Sequence, residues 1–137
     1  DGELYVTGRI KDMMIFRGRN VYPQDVEATS ALAHSALKGG ATAAFSIDDG
    51  GEERLVIVQE VDRREGRPEV LPEVEQAIRD RVHEEHGLSV HDIALVRSRS
   101  IPVTSSGKIQ RQLARKAYQQ GALESAYERS TRTRPSH

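Results

Sequence analysis

The chain has 137 residues, of which 36% are hydrophobic and 30% charged. This length suits one globular domain that buries roughly two thirds of its unfolded surface, and the composition excludes a disordered or membrane-embedded chain. Twenty basic and 21 acidic residues give a net charge of −1, so we expect no nucleic-acid partner and, without any apolar run near ~20 residues, no membrane insertion. The absence of cysteine excludes disulfides and thiolate chemistry and suits a cytoplasmic location.

The first third of the chain predicts two short strands and a helix. The apolar runs at 3–7 and 13–16 predict two strands with a polar segment between them. Pro23, followed by acidic residues, predicts a helix that runs to about Ala33. Its packing stripe is expected to be thin, with Val26 and Leu32 as its larger apolar residues.

The middle of the chain predicts a hairpin and a long helix. Segments 41–47 and 54–61 are β-prone and flank an Asp-Asp-Gly-Gly turn, and the first, nearly all apolar, is expected to be the central strand. Apolar residues recur at three and four positions between Pro68 and His86, which predicts an amphipathic helix with Gly87 as its C-cap.

The last third predicts a strand at 92–97, a polar loop, a helix from Ile109 to about Gln120 and a flexible polar tail at 130–137. The order β-β-α-β-β-α-β-α indicates an α+β fold: a small sheet flanked by helices, with an N-terminal two-stranded hairpin.

The polar loop IPVTSSGKIQR presents Lys108 after two serines and Gly107. A P-loop is excluded, because Pro102 stands where its first glycine is required and Ile109 follows the lysine. Since an exposed lysine is a cation at neutral pH, Lys108 suits an electrostatic clamp on an anion. A solvated lysine before a helix explains the same spacing equally well.

A second glycine-rich and cationic segment spans residues 8–12 and 17–20, reading GRIKD and RGRN. Such a pattern suits a mobile or ligand-facing hairpin, although a charged turn is the simpler interpretation of this segment alone. Metal ligation by protein side chains is disfavoured, because the closest histidines, His83 and His86, lie beside glutamates on a helix surface.

Together, the two segments resemble the C-terminal domain of adenylate-forming enzymes, the superfamily of acyl- and aryl-CoA ligases, luciferases and nonribosomal peptide adenylation domains. The resemblance runs from GELYVTGRIKD to GKIQR and implies a C-terminal lid domain at 1–129 with a hinge near 8–12. The segments RGRNVYPQDVE, AAFSIDD, EEHGLSVHDIALV and IPVTSSGKIQR are most similar to fatty acyl-AMP ligases.

The resemblance assigns roles residue by residue. Lys108 matches the catalytic lysine that contacts the fatty carboxylate and the α-phosphate of ATP, and Lys11 matches the hinge. Further positions match nucleotide- or carrier-facing sites: Arg9, Gly18, Ser106 and Gly107. Val103 and Ile15 stand where many relatives have a second lysine, so a role for such a lysine is not expected here.

The implied reaction converts ATP and a fatty acid to acyl-adenylate and then transfers the acyl group to an acyl carrier protein. ATP and Mg²⁺ are expected to bind mainly to an N-terminal domain of the same enzyme, so this segment alone should bind no cofactor and be inactive. An acyl-CoA ligase and a non-catalytic module that binds a carrier protein are the alternatives.

Overall fold

The computed structural model describes residues 13–16, 18–37, 40–62, 69–97 and 99–121. In chain order these form β1 (Met14–Phe16), β2 (Arg19–Val21), α1 (Pro23–Ala31), a 3-10 turn (Ser35–Leu37), β3 (Thr42–Asp49), β4 (Glu52–Val61), α2 (Leu71–His86), β5 (Val90–Arg97) and α3 (Arg111–Gln120). The predicted α+β class and order of elements are confirmed.

The main sheet has the strand order β3-β4-β5. Strands β3 and β4 form an antiparallel hairpin in which Ala44 lies opposite Ile57, whereas β4 and β5 are parallel and pair Ile57 with Ile93. The prediction that the apolar β3 is central is therefore wrong. Helix α2 provides the crossover that a parallel pair requires, and this connection leaves β4 in the middle.

Each face of the sheet carries its own hydrophobic core. One core joins the sheet to α1, α2 and the hairpin β1-β2 through residues such as Ile57, Val26 and Ile78. The other lies under α3 and the loop before it, where Phe45 and Ala114 are buried. The sheet is thus covered by helices on both faces, which explains why β4 is buried along most of its length.

The predicted N-terminal two-stranded hairpin is confirmed, although one of its two described strands, β2, was not predicted. Strand β1 matches the predicted run at 13–16, but its antiparallel partner is β2, with Met14 opposite Val21. The predicted strand at 3–7 lies outside the described residues. The turn between β1 and β2 includes Gly18, whose φ of 80° lies in the left-handed region that glycine adopts readily.

The helices begin and end near their predicted boundaries, with one difference in packing in α1. Gly87 ends α2 with a left-handed φ of 68°, as the sequence indicates. Leu32, expected in the packing stripe of α1, is 72% exposed because it lies just past the end of that helix. Within the described segments, no helix has the length and apolarity needed to cross a lipid bilayer.

Candidate functional site

The loop that carries Lys108 is a small hairpin held by its own hydrogen bonds. Val103 and Ile109 form an antiparallel bridge. Inside it, the Thr104 amide donates to the Lys108 carbonyl (2.8 Å), and the Gly107 amide donates to the Thr104 carbonyl (2.8 Å). Gly107 has a φ of 89°, which matches the left-handed residue that ends a three-residue hairpin loop.

Side-chain oxygens complete this loop. The Thr104 hydroxyl accepts the Lys108 amide hydrogen (3.0 Å) and lies 3.1 Å from the Ser106 hydroxyl. Ser106, Gly107 and Lys108 are all exposed. The fixed backbone therefore presents the Lys108 side chain to solvent from the turn. Helix α3 begins at Arg111, two residues after the predicted start at Ile109.

The loop is attached to the sheet at its entry by a buried carboxylate. Glu60, near the end of β4, accepts the Ile101 amide hydrogen at 3.0 Å on one oxygen and the Ala41 amide hydrogen at 3.2 Å on the other. Glu60 is only 6% exposed. The sequence did not indicate a role for Glu60. Its one unusual feature there is that it is an acidic residue near the end of an apolar strand.

At its exit, the loop is attached through Arg111, the first residue of α3. The Arg111 guanidinium donates two hydrogen bonds to the Glu27 carboxylate of α1, at 2.6 Å from Nε and 2.7 Å from Nη2. The same carboxylate accepts the Ala44 amide hydrogen at 2.9 Å. The sequence did not predict this pair, because Glu27 and Arg111 are 84 residues apart. Glu27 was explained as an acidic residue of a helix, and Arg111 as a cation after the lysine loop.

Helix α3 is fixed along the rest of its length as well. Arg115 donates from Nε to the Ser46 carbonyl of β3 (2.9 Å), and the Tyr118 hydroxyl donates to Asp92 (2.6 Å). Ala114 is buried. Leu113 is 49% exposed, and its neighbour Ala114 packs against the sheet.

These contacts divide the basic segment from Arg97 to Lys116. Arg111 and Arg115 bind protein oxygens in the fold, whereas Lys108 and Lys116 are exposed. The cation that the sequence singles out is thus available to an external anion, and two of its cationic neighbours serve the fold.

Of the second glycine-rich and cationic segment, the structure describes only residues 18–20, which lie away from the lysine loop. Arg9 and Lys11 lie outside the described residues, so their predicted roles stay predictions. The hairpin that contains Gly18 contacts the start of β4, where the Ile15 amide donates to Glu53 (3.4 Å), whereas the lysine loop is attached at Glu60. The two attachment points are seven positions apart along β4, about 23 Å at ~3.3 Å per residue.

A cavity of about 820 Å³ opens beside this hairpin. Its lining includes Phe16 and Arg19 from the hairpin, Leu55 from β4, and Leu88 and His91 after α2. The cavity therefore lies beside the β1-β2 hairpin, and none of its lining residues belongs to the loop of Lys108.

A family model described as "Disco-interacting protein 2-like, AMP domain" matches residues 11–128, which include the hairpin and the lysine loop. The chain belongs to this family of adenylate-forming enzymes.

Curated relatives of this adenylate-forming domain include ligases that are named for different products. It is 48% identical over 124 residues to the medium-chain-fatty-acid–acyl-carrier-protein ligase JamA of Moorena producens, covering 90% of this chain and 21% of JamA. It is 38% identical over 143 residues to the long-chain-fatty-acid–AMP ligase FadD32 of Mycolicibacterium smegmatis (90% and 22%). It is also 37% identical over 124 residues to the putative fatty-acid–CoA ligase FadD25 of Mycobacterium tuberculosis (88% and 21%). The chain thus spans about a fifth of the length of these relatives.

Solved structures of adenylate-forming enzymes share the fold. The McyG A-PCP structure complexed with phenylalanyl-adenylate superposes with a TM-score of 0.74 at 25% identity, covering 89% of this chain and 18% of that one. The fatty acid AMP ligase of Legionella pneumophila gives a TM-score of 0.65 at 27% identity (84% and 23%). The helix-covered sheet with its N-terminal hairpin is accordingly a fold of this family.

Proposed function

We propose that this chain is the mobile C-terminal domain of a fatty acyl-AMP ligase, which works with an N-terminal domain that binds ATP, Mg²⁺ and the fatty acid. The enzyme would form acyl-adenylate and pyrophosphate and then pass the acyl group to an acyl carrier protein in the cytoplasm. The relatives named as fatty-acid–AMP and acyl-carrier-protein ligases support this proposal.

The observation that carries the proposal is the exposed Lys108 on a loop whose backbone is fixed by internal hydrogen bonds. Adenylation brings a carboxylate against the α-phosphate of ATP, and these two anions repel each other. A cation held between them lowers that repulsion as charge develops in the transition state. Because the loop is already folded, little ordering is required when Lys108 meets its anion.

Two further roles complete the proposal. Rotation about Lys11 would alternate the domain between an adenylating and a transfer pose, and in the second pose the hairpin with Gly18 and the region of Arg9 would face the active site. Ser106 and Gly107, adjacent to Lys108 on the exposed turn, would lie near the nucleotide or the carrier.

The test is Lys108→Ala in the enzyme that carries both domains, with acyl-adenylate formation followed by pyrophosphate release. Loss of a positioned charge-stabilising group at such a step costs about 100- to 1000-fold, so we expect near loss of adenylation with an unchanged unfolding temperature. Lys116 is an exposed lysine on α3. The substitution Lys116→Ala is therefore the matched control and should retain activity. Retained adenylation in Lys108→Ala would refute the clamp and favour a non-catalytic module that binds a carrier protein.

The acceptor separates the proposal from an acyl-CoA ligase, which the similarity to FadD25 keeps as the second candidate. The same enzyme is supplied with free coenzyme A or with a phosphopantetheinylated carrier protein. We expect acyl transfer to the carrier, and efficient production of acyl-CoA would contradict this choice.

A further inference from the structure

The ion pair between Glu27 and Arg111 lies at the exit of the loop that carries Lys108. Arg111 begins α3 only three residues after Lys108, and its guanidinium binds both oxygens of the Glu27 carboxylate. A two-point contact of this kind fixes orientation as well as distance. The side chains are 15% and 11% exposed, so water competes weakly for either partner.

Glu27 connects the exit of the lysine loop to two other elements. Its backbone belongs to α1, and its Oε2 atom also accepts the Ala44 amide hydrogen of β3. The position of Arg111, and of the loop residues just before it, is therefore set relative to the sheet and α1 together. Since the guanidinium is already bound by a carboxylate, Arg111 is poorly suited to bind a substrate anion itself.

We propose that Glu27 is a positioning residue that acts through Arg111 to place Lys108 for adenylation. This inference rests on the proposed function. The remainder of α3 is held separately by the buried Ala114 and by the hydrogen bonds of Arg115 and Tyr118. Loss of the ion pair should accordingly release the first turn of α3 and the lysine loop while the domain stays folded.

The test uses Glu27→Gln and Arg111→Lys in the two-domain enzyme, each alone and combined with Lys108→Ala. Glutamine keeps an oxygen for the Ala44 amide, and lysine keeps the positive charge, but neither pair retains the two-point contact. Glu75→Gln is the matched control, because Glu75 forms an ion pair with Arg79 within α2. The Glu75 side chain is 15% exposed, close to the 11% of Glu27.

Small displacements of a catalytic group cost up to ~100-fold in rate, and we expect kcat for adenylation to fall about ten-fold in Glu27→Gln and Arg111→Lys. KM for ATP should stay within about two-fold, since binding is proposed to lie mainly in the other domain. Transfer from preformed acyl-adenylate to the carrier should match the Glu75→Gln control. In the Lys108→Ala background, the same substitutions should reduce adenylation no further, because a group that acts through Lys108 has no effect without it.

The inference would be overturned by equal loss of both half-reactions, by a loss in Glu75→Gln as large as in Glu27→Gln, by independent multiplication of the Glu27 and Lys108 effects, or by normal adenylation in Glu27→Gln. Thermal unfolding of every variant shows whether a loss of activity comes from loss of the fold. If Glu27→Gln does not fold, adenylation by the milder variant Arg111→Lys tests the positioning role. Normal adenylation in Glu27→Gln alongside an inactive Lys108→Ala would reject only the positioning role. Normal adenylation in Lys108→Ala would reject the proposed function and the inference together.

Discussion

Replacing Glu60 by glutamine tests whether a buried carboxylate fastens the lysine loop to the sheet. In the native domain each oxygen of Glu60 accepts one backbone amide hydrogen, from Ala41 at 3.2 Å and from Ile101 at 3.0 Å. Glutamine offers one oxygen and one NH₂ group. One of the two amides would then face another donor, and the hydrogen bond on that side would be lost.

The expected magnitude follows from two opposing effects. A hydrogen bond to a charged group contributes about 1.5–3 kcal/mol, and an unsatisfied buried amide costs a similar amount. Against this, a neutral amide is easier to bury than a carboxylate at a site that is only 6% exposed. We therefore expect Glu60→Gln to lower the free energy of unfolding by about 1–2 kcal/mol.

Urea unfolding followed by circular dichroism measures the change, and hydrogen exchange locates it. Faster exchange is expected at the amide of Ile101 or Ala41. Glu53→Gln is the control on the same strand, because Glu53 is exposed and its only described bond is long (3.4 Å); such surface changes stay within about 0.5 kcal/mol. Wild-type stability in Glu60→Gln, with both amides still protected, would refute this account of the attachment.

Two further substitutions test the loop and the hinge. Gly107→Ala should destabilise the domain by about 1 kcal/mol in urea unfolding, because the φ of 89° is unfavourable for alanine, whereas the added Cβ would meet no atom within 4 Å beyond the adjacent residues. Unchanged stability would argue against this backbone conformation. Lys11→Pro in the two-domain enzyme should leave pyrophosphate release largely intact and impair transfer to the carrier, and equal loss of both half-reactions would count against a hinge at Lys11.

Local patterns in the sequence were sufficient for most elements. The Asp-Asp-Gly-Gly turn indicates the β3-β4 hairpin, the three-and-four spacing indicates α2, and Gly87 ends that helix as expected. These features depend on residues close together in sequence, where backbone preferences and side-chain periodicity act directly. Lys108 was chosen as a candidate from its loop and from the family resemblance, and the structure places it exposed on a hairpin turn; its role stays a prediction.

Features set by distant contacts were not predictable in this way. The nearly all-apolar sequence of β3 predicted a central strand, and Ala43, Ala44 and Phe45 are indeed buried. However, β3 is an edge strand, and its side chains are buried because helices cover both faces of the sheet. Likewise, the exposure of Leu32 and the burial of Ala114 depend on where each helix starts and stops against its neighbours. In the sequence, Glu27 is one of the acidic residues that follow Pro23, and Arg111 is one of several cations near Lys108. Only the folded chain brings the two side chains together.

The edge of β3 links the stability of the sheet to the placement of the lysine loop. An edge strand presents unpaired amide and carbonyl groups, which attract other strands unless they are covered. Here the Ala44 amide is bound by Glu27, and the Ser46 carbonyl is bound by Arg115 of α3. Because Glu27 also holds Arg111, one of the contacts that cover this edge also fixes the start of α3. A substitution of Glu27 that exposes the edge of β3 should therefore also displace the loop that carries Lys108.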